Sequence, residues 1–169
     1  MKQILDACCG GRMSWFPESR NVQSCLFGDC RAEEKTLCDG YLYRVVPDVL
    51  LDVQSLPFRD GTFSLVFYDP PHLKRAGETS WLRAKYGVLP PHWQSLLKRG
   101  FAECWRVLKP EGTLIFKWSE VHIPIRTIRT CFPAPPLFGH TTTKNMKTHW
   151  IVFFKFPELE HSHESAGLL

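Results

Sequence analysis

The sequence predicts an α/β domain built on a central sheet. Three observations carry that prediction. Short apolar runs bounded by turn residues recur at 3–6, 24–28, 48–52, 64–68, 113–118 and 149–156, each of strand length. One stretch, 92–108, has a helical period instead. The chain has 169 residues, enough for a single core.

The first run ends at Ile4-Leu5 and is closed by Asp6. Small residues follow, from Ala7 and Cys8-Cys9 to Gly10-Gly11. Such a loop turns tightly and lets the backbone approach a ligand. The second run, Cys25-Leu26-Phe27, passes through Gly28 to Asp29. The third, Val49-Leu50-Leu51, stops at Asp52 and continues as Val53-Gln54-Ser55-Leu56-Pro57-Phe58. The fourth, Leu65-Val66-Phe67-Tyr68, stops at Asp69-Pro70-Pro71-His72. Prolines cannot extend a ladder, because they lack its N–H.

In the helical stretch Trp93, Leu96, Leu97, Gly100, Phe101, Cys104, Trp105 and Leu108 share one face. That pattern assigns Trp93 and Trp105 to the core. Lys109-Pro110-Glu111-Gly112 ends the helix, and Thr113–Trp118 begins the fifth strand. His149–Phe154 reads as a long buried strand. Residues 73–91 read as an inserted loop, with Gly77 and Gly87 permitting movement and Trp81 and Tyr86 set among bases. The domain is expected over 1–156, followed by a polar tail at 157–169.

Composition sets bounds. Hydrophobic content is 44% and charged content 22%, as in a globular domain. No run of about 18 apolar residues is present to span a bilayer, and no signal-peptide apolar region follows Met1. The seven cysteines are odd in number and form no Cys-x-x-Cys pair, so neither a zinc site nor a disulfide framework is expected. Reduced thiols and a cytoplasmic location follow as expectations. Net charge is +4. Residues 72–109 hold eight Lys/Arg against Glu78 and Glu103. That basic stretch abuts the Asp-Pro-Pro segment and would attract a polyanion such as nucleic acid.

Asp69-Pro70-Pro71-His72 carries the most chemistry. A carboxylate oxygen and a proline carbonyl held side by side are both acceptors, which suits a planar –NH2 group. His72 offers a ring to stack on the plane bearing that amine. With the glycine loop, this segment resembles the class I S-adenosylmethionine-dependent methyltransferases, specifically the amino-methyltransferases with an Asp/Asn-Pro-Pro-aromatic motif. Asp6, Cys9 and Gly10 match the family's first motif, while Cys8 and Arg12 stand in place of two glycines. Asp52 through Leu56-Pro57-Phe58 matches the family's Asp-x-x-x-Leu-Pro-Phe. The helix–Leu-Lys-Pro-Glu-Gly–strand passage is common there too. The layout is similar to small methyltransferases encoded by bacteriophages and prophages.

The resemblance implies a Rossmann-like domain, a mostly parallel sheet and an antiparallel C-terminal strand. The short span between Gly11 and the second strand implies a reduced first helix. The implied cofactor is S-adenosylmethionine, held by Asp6, Ala7, Cys8, Cys9, Gly10, Asp52, Val53, Leu56 and Asp69. Asp29 is the implied ribose ligand, with Glu33 and Glu34 as alternatives. Asp69, Pro70, Pro71 and His72 are the implied catalytic set. His72 stands where the family has Tyr, Phe or Trp, and imidazole titrates near neutrality, which predicts a pH-sensitive rate. Lys74, Arg75, Trp81, Lys85, Tyr86 and Trp118 are the candidate substrate contacts.

The expected reaction is methyl transfer to an exocyclic nucleobase amine, adenine N6 first, in DNA or RNA. Two alternatives stand beside it. One is methylation of a protein glutamine or other amide. The other is a non-catalytic cofactor-binding subunit. A partner subunit or homodimer would complete an open site. No metal and no membrane contact are expected.

Overall fold

The computed structural model describes residues 2–37, 40–140 and 147–157. In chain order the elements are β1 (Ile4–Asp6), β2 (Cys25–Asp29), β3 (Glu33–Thr36), β4 (Leu42–Val45), β5 (Val49–Leu50) and β6 (Phe63–Tyr68). There follow α1 (Trp81–Tyr86), α2 (Trp93–Val107), β7 (Leu108–Ser119), α3 (Ile125–Ile128), β8 (Phe138–Gly139) and β9 (Thr148–Phe154). Every predicted strand and the predicted helix are present.

Seven strands form one sheet in the order β5-β2-β1-β6-β7-β9-β8. The pairs among β5, β2, β1, β6 and β7 are parallel. β9 runs antiparallel to β7 over Thr113–Ser119. The result is a Rossmann-like sheet with the expected antiparallel C-terminal strand. Among the described residues no helix is long and apolar enough to cross a membrane.

The two faces of the sheet are covered differently. On one face α2 packs Trp93, Leu97, Phe101 and Cys104 against Leu5, Val66, Tyr68, Leu114, Phe116 and Phe153. On the other, the expected first helix is reduced to a 3-10 turn at Pro17–Ser19. Trp15 fills part of the gap, packing edge-on against Phe27 at 5.0 Å. Arg12 lies over the same ring at 3.8 Å. It also donates to the carbonyls of Arg20 and Val46, to Asn21 and to Asp48. The arginine that replaces a motif glycine therefore ties together a loop that a helix would otherwise hold.

Two features depart from the sequence expectation. Glu33–Thr36 and Leu42–Val45 pair antiparallel as the β3–β4 hairpin. Its alternation is hidden because Glu33-Glu34-Lys35-Thr36 is polar throughout and packs only through its partner strand. The segment 73–91 is also no simple loop, since it contains α1, capped by the Ser80 hydroxyl accepting from Leu82 N–H. Ala84 of α1 joins Leu37, Tyr43 and Val45 in a small second core. The predicted tail from 158 onward, with His161 and His163, lies outside the described residues.

Gly100 gives the core a direct test. A Cβ there would collide with the Tyr68 hydroxyl, and Tyr68 is fully buried. Gly100→Ala gains helix propensity of about 1 kcal/mol, but overpacking costs about 1–3 kcal/mol. The expected outcome is a thermal midpoint lowered by several degrees, measured by circular dichroism. An unchanged or raised midpoint would show that Tyr68 moves aside.

Candidate functional site

Parallel strands end at one edge of a sheet, and four of these end in an acid. Asp6, Asp29, Asp52 and Asp69 all line a single cavity of about 510 Å³, within the range of small-molecule sites. Ala7, Cys8, Cys9, Gly10 and Val53 line it as well, as do Pro70, Pro71, His72, Lys85 and Tyr86. Most of the predicted site residues are thus brought together. Among the described residues no group of His, Cys, Asp or Glu is placed to hold a metal ion.

The rest are placed elsewhere. Leu56 is buried in the core and does not line the cavity, its backbone N–H donating to Glu103. Leu96 of α2 lines the wall instead. Trp118 is fully buried and donates from Nε1 to the Ile123 carbonyl. Strand alternation explains this, because Leu114, Phe116 and Trp118 share the core face while Lys117 points the other way. Lys74, Arg75 and Trp81 lie outside the cavity. Trp81 is 43% exposed, with Lys85 Nζ 4.9 Å from its ring centre. Glu33, engaged by Arg31 and Lys35, and Glu34, engaged by Arg44, do not line the cavity, whereas Asp29 does.

The glycine loop is fixed by backbone bonds. Ala7 N–H donates to the Phe67 carbonyl at 2.9 Å and Cys9 N–H to the Gly28 carbonyl at 2.8 Å. Gly10 N–H donates to Asp29 Oδ2 at 2.8 Å. Asp29 Oδ1 accepts from Arg31 N–H and Nε. Arg31 also donates to the Ala84 carbonyl at 3.1 Å, joining the acid to the α1 segment. Tyr43 bridges the same parts. Its hydroxyl accepts from Gly11 N–H at 2.9 Å and donates to the Lys85 carbonyl at 3.2 Å. A Cβ on Gly11 would lie 2.6 Å from the Tyr43 ring, so only glycine permits that approach. The hairpin and α1 together form a cover over the loop.

Asp6 is 1% exposed. It accepts from Trp15 Nε1 at 2.7 Å and from Cys8 N–H at 3.3 Å. Burial pushes its pKa up from the ordinary 3.8 to about 7, against the pull of the indole bond. Burial also raises the Cys8 thiol, and pushes Cys9 to about 12. Both stay protonated at neutral pH, which argues against thiolate chemistry here. Asp52 is exposed at the rim, accepting from Gln54 N–H at 2.9 Å.

At the far end lies a cluster that sequence reasoning missed. Lys117 Nζ donates to Asp69 Oδ2 at 2.8 Å and to Ser14 Oγ at 2.9 Å. Ser14 Oγ donates to the same Asp69 oxygen at 3.1 Å. Trp150, opposite Lys117 in the β7–β9 register, stacks on Phe67 at 5.5 Å and 6°. All five residues line the cavity. Period-two alternation through Thr113–Ser119 is the signal that would have placed Lys117 there. His72 sits between Tyr86 at 5.3 Å and Trp118 at 6.2 Å. Burial lowers its pKa, with Asp69 opposing and Lys117 reinforcing the shift. It is therefore neutral at pH 7, and its titration moves to the acid side of the neutral range expected from sequence.

No model of a known protein family matches the chain, and no curated protein is significantly similar to it. Solved structures do resemble it. PH0226 from Pyrococcus horikoshii OT3 superposes with a TM-score of 0.55 at 14% identity, covering 92% of this chain and 82% of that one. The likeness extends over the Rossmann-like sheet described above. The putative methylase HI0767 from Haemophilus influenzae gives a TM-score of 0.47 at 16% identity, over 93% of this chain and 88% of that one. The cyclase SpnF gives 0.46 at 15%, over 82% and 53%. At such identities the likeness bears on fold alone.

The shifted acid makes a pH prediction. Folded Asp6 keeps its proton up to about 7, whereas the unfolded carboxyl loses it near 3.8. Between those values the folded state binds more protons, so stability falls as pH rises. The expected result is a fall in unfolding free energy from about pH 5 to about 7 and no further loss from this group above it. Asp6→Asn should flatten that slope in urea titrations. An identical slope in the variant would assign the effect to other groups.

Proposed function

We propose that this chain is an S-adenosylmethionine-dependent N-methyltransferase acting on an exocyclic nucleobase amine, with adenine N6 the first candidate. One observation carries the reading. Asp69-Pro70-Pro71-His72 opens into the same cavity as the glycine loop, Asp29 and Asp52. A donor group held by the loop and the strand-end acids would therefore lie beside an acceptor held by Asp69.

The residues present fit that cofactor. Its methionine part and sulfonium are cationic in sum, and the cavity gathers four acids. Asp52 at the rim and the buried Val53 beside it would meet an adenine edge, Asp29 at the end of β2 would hold a ribose, and Asp6 with residues 7–10 would hold the amino-acid part. When bound, S-adenosylmethionine supplies a methyl group carried on sulfur for in-line displacement. Asp69 Oδ1 accepts a hydrogen bond from the acceptor –NH2, as does the Pro70 carbonyl. These bonds orient the amine and free its lone pair toward the methyl. The rigid Pro70-Pro71 turn fixes both acceptors. His72 is buttressed by Tyr86 and Trp118, and it closes the floor without needing to carry a proton.

Nucleic acid is the proposed partner. Lys74, Arg75 and Trp81 lie outside the cavity on the segment that borders it, available to meet phosphates while one base enters. A peptide amide is the second reading, favoured by the same Asp-Pro-Pro acceptors. The aromatic surface of Trp150 and Phe67 supports a ring instead.

The test is incubation with methyl-labelled S-adenosylmethionine and separate pools of duplex DNA, single-stranded DNA, RNA and protein. Label on a nucleobase amine is expected, and Asp69→Ala should lower transfer at least ~100-fold. Label on protein amides alone would select the second reading. Cofactor binding with no label in any pool would leave a non-catalytic subunit.

A further inference from the structure

Lys117 has no counterpart in the motif that Asp69 belongs to, yet it makes that residue's shortest bond. Asp69 Oδ2 is saturated by Lys117 Nζ and Ser14 Oγ, while Oδ1 accepts no bond from the described residues. Lys117 carries three N–H donors. Asp69 and Ser14 take two, and one is left. The cavity thus presents one acceptor and one donor side by side. Next to them stands Trp150, 38% exposed, braced by Phe67 on one face. Lys117 Nζ lies 5.7 Å from its ring centre. His72, by contrast, already has rings beside it.

We infer, on the reading of the cavity given above, that Lys117 with Ser14 selects the acceptor by its edge, and that Trp150 rather than His72 is the plane on which it stacks. The ligand that fits is a planar ring bearing an N–H donor next to a ring nitrogen lone pair. The amine donates to Asp69 Oδ1, and the ring nitrogen accepts from Lys117. Adenine and cytosine have that order of groups. Hypoxanthine and uracil reverse it, setting a carbonyl oxygen against the carboxylate and an N–H against the ammonium. A peptide amide offers a similar donor and acceptor but no ring to cover the indole. Ser14 limits where the ammonium can sit, so the donor stays beside Asp69. Lys117 also neutralises part of the carboxylate charge, and Asp69 serves as an orienting acceptor.

The test is binding, so it does not depend on turnover. Single-stranded oligonucleotides identical except at one position would carry adenine, cytosine, hypoxanthine, uracil or an abasic site. Affinity would be read by fluorescence anisotropy with S-adenosylhomocysteine present. Adenine and cytosine are expected to bind about 10-fold tighter than hypoxanthine and uracil. Lys117→Met should remove that difference, and Lys117→Arg should keep part of it. Trp150→Ala should weaken every base-bearing oligonucleotide toward the abasic value, and Trp150→Phe should restore most of the loss. Wild-type protein without base discrimination, or Lys117→Met with discrimination intact, would overturn the inference. So would preferred binding of a glutamine peptide. Discrimination that follows Lys117 in a protein transferring no methyl group would sink the enzymatic reading and leave this one standing.

Discussion

Four strand-end carboxylates facing one cavity are the constraint around which this molecule is arranged. The parallel register of β2, β1 and β6 aligns Phe27, Asp6 and Phe67, so Asp29 and Asp69 emerge level with each other, two residues beyond Asp6. Like charges so gathered repel strongly where water is scarce. Each is handled differently. Asp6 is buried and bonded to an indole. Asp29 takes a backbone N–H and a guanidinium. Asp69 takes an ammonium and a hydroxyl. Asp52 stays in water at the rim. Removing any one compensation would alter the field felt by the other three.

The second constraint is the lost first helix. Its place on the sheet is taken by loop residues that must be fixed individually. Arg12 adopts a left-handed backbone, φ 54, which costs of order 1 kcal/mol or more. Its several hydrogen bonds and the Phe27 ring offset that strain. Tyr43 then reaches from the hairpin to hold Gly11 and Lys85 together. The glycine loop is thereby braced from outside by elements that follow it in sequence. Beyond Trp15 the open face stays thinly covered, and Leu65, Thr113, Ile115, Val152 and Phe154 are all half-buried.

The strands and α2 were legible because each has a period that physics enforces: two for a strand with one buried face, 3.6 for a helix on a sheet. The acidic strand ends were legible because an apolar run stopping at an acid is a visible boundary. What failed was of two kinds. The β3–β4 hairpin and α1 are short elements that bury little alone and gain stability from each other through Ala84, Leu37 and Tyr43. No local pattern reports such a mutual arrangement. Trp118 and Lys117 failed for the opposite reason. The alternation that separates them is present in the sequence, but the aromatic suggests a ligand contact more strongly than the lysine beside it. Ser14 had no local signal at all, since it reaches Asp69 only through the fold of the loop.

The distribution of charge links the two halves of the proposed function. The cavity gathers four acids, with Asp6 keeping its proton up to about pH 7, against Arg31, Lys85 and Lys117, so it holds no excess of positive charge to attract phosphate. Outside, on the segment that borders it, Lys74 and Arg75 are exposed. Under the proposed function a polyanion would be held at the rim and kept from the interior, and only a neutral base would pass inward. Lys117 gives the arrangement its specificity. An ammonium bonded to Asp69 is paired too well to attract phosphate, yet it keeps one donor for a ring nitrogen. In the proposed function, the acids that would draw in the cofactor would also restrict the acceptor to its uncharged part.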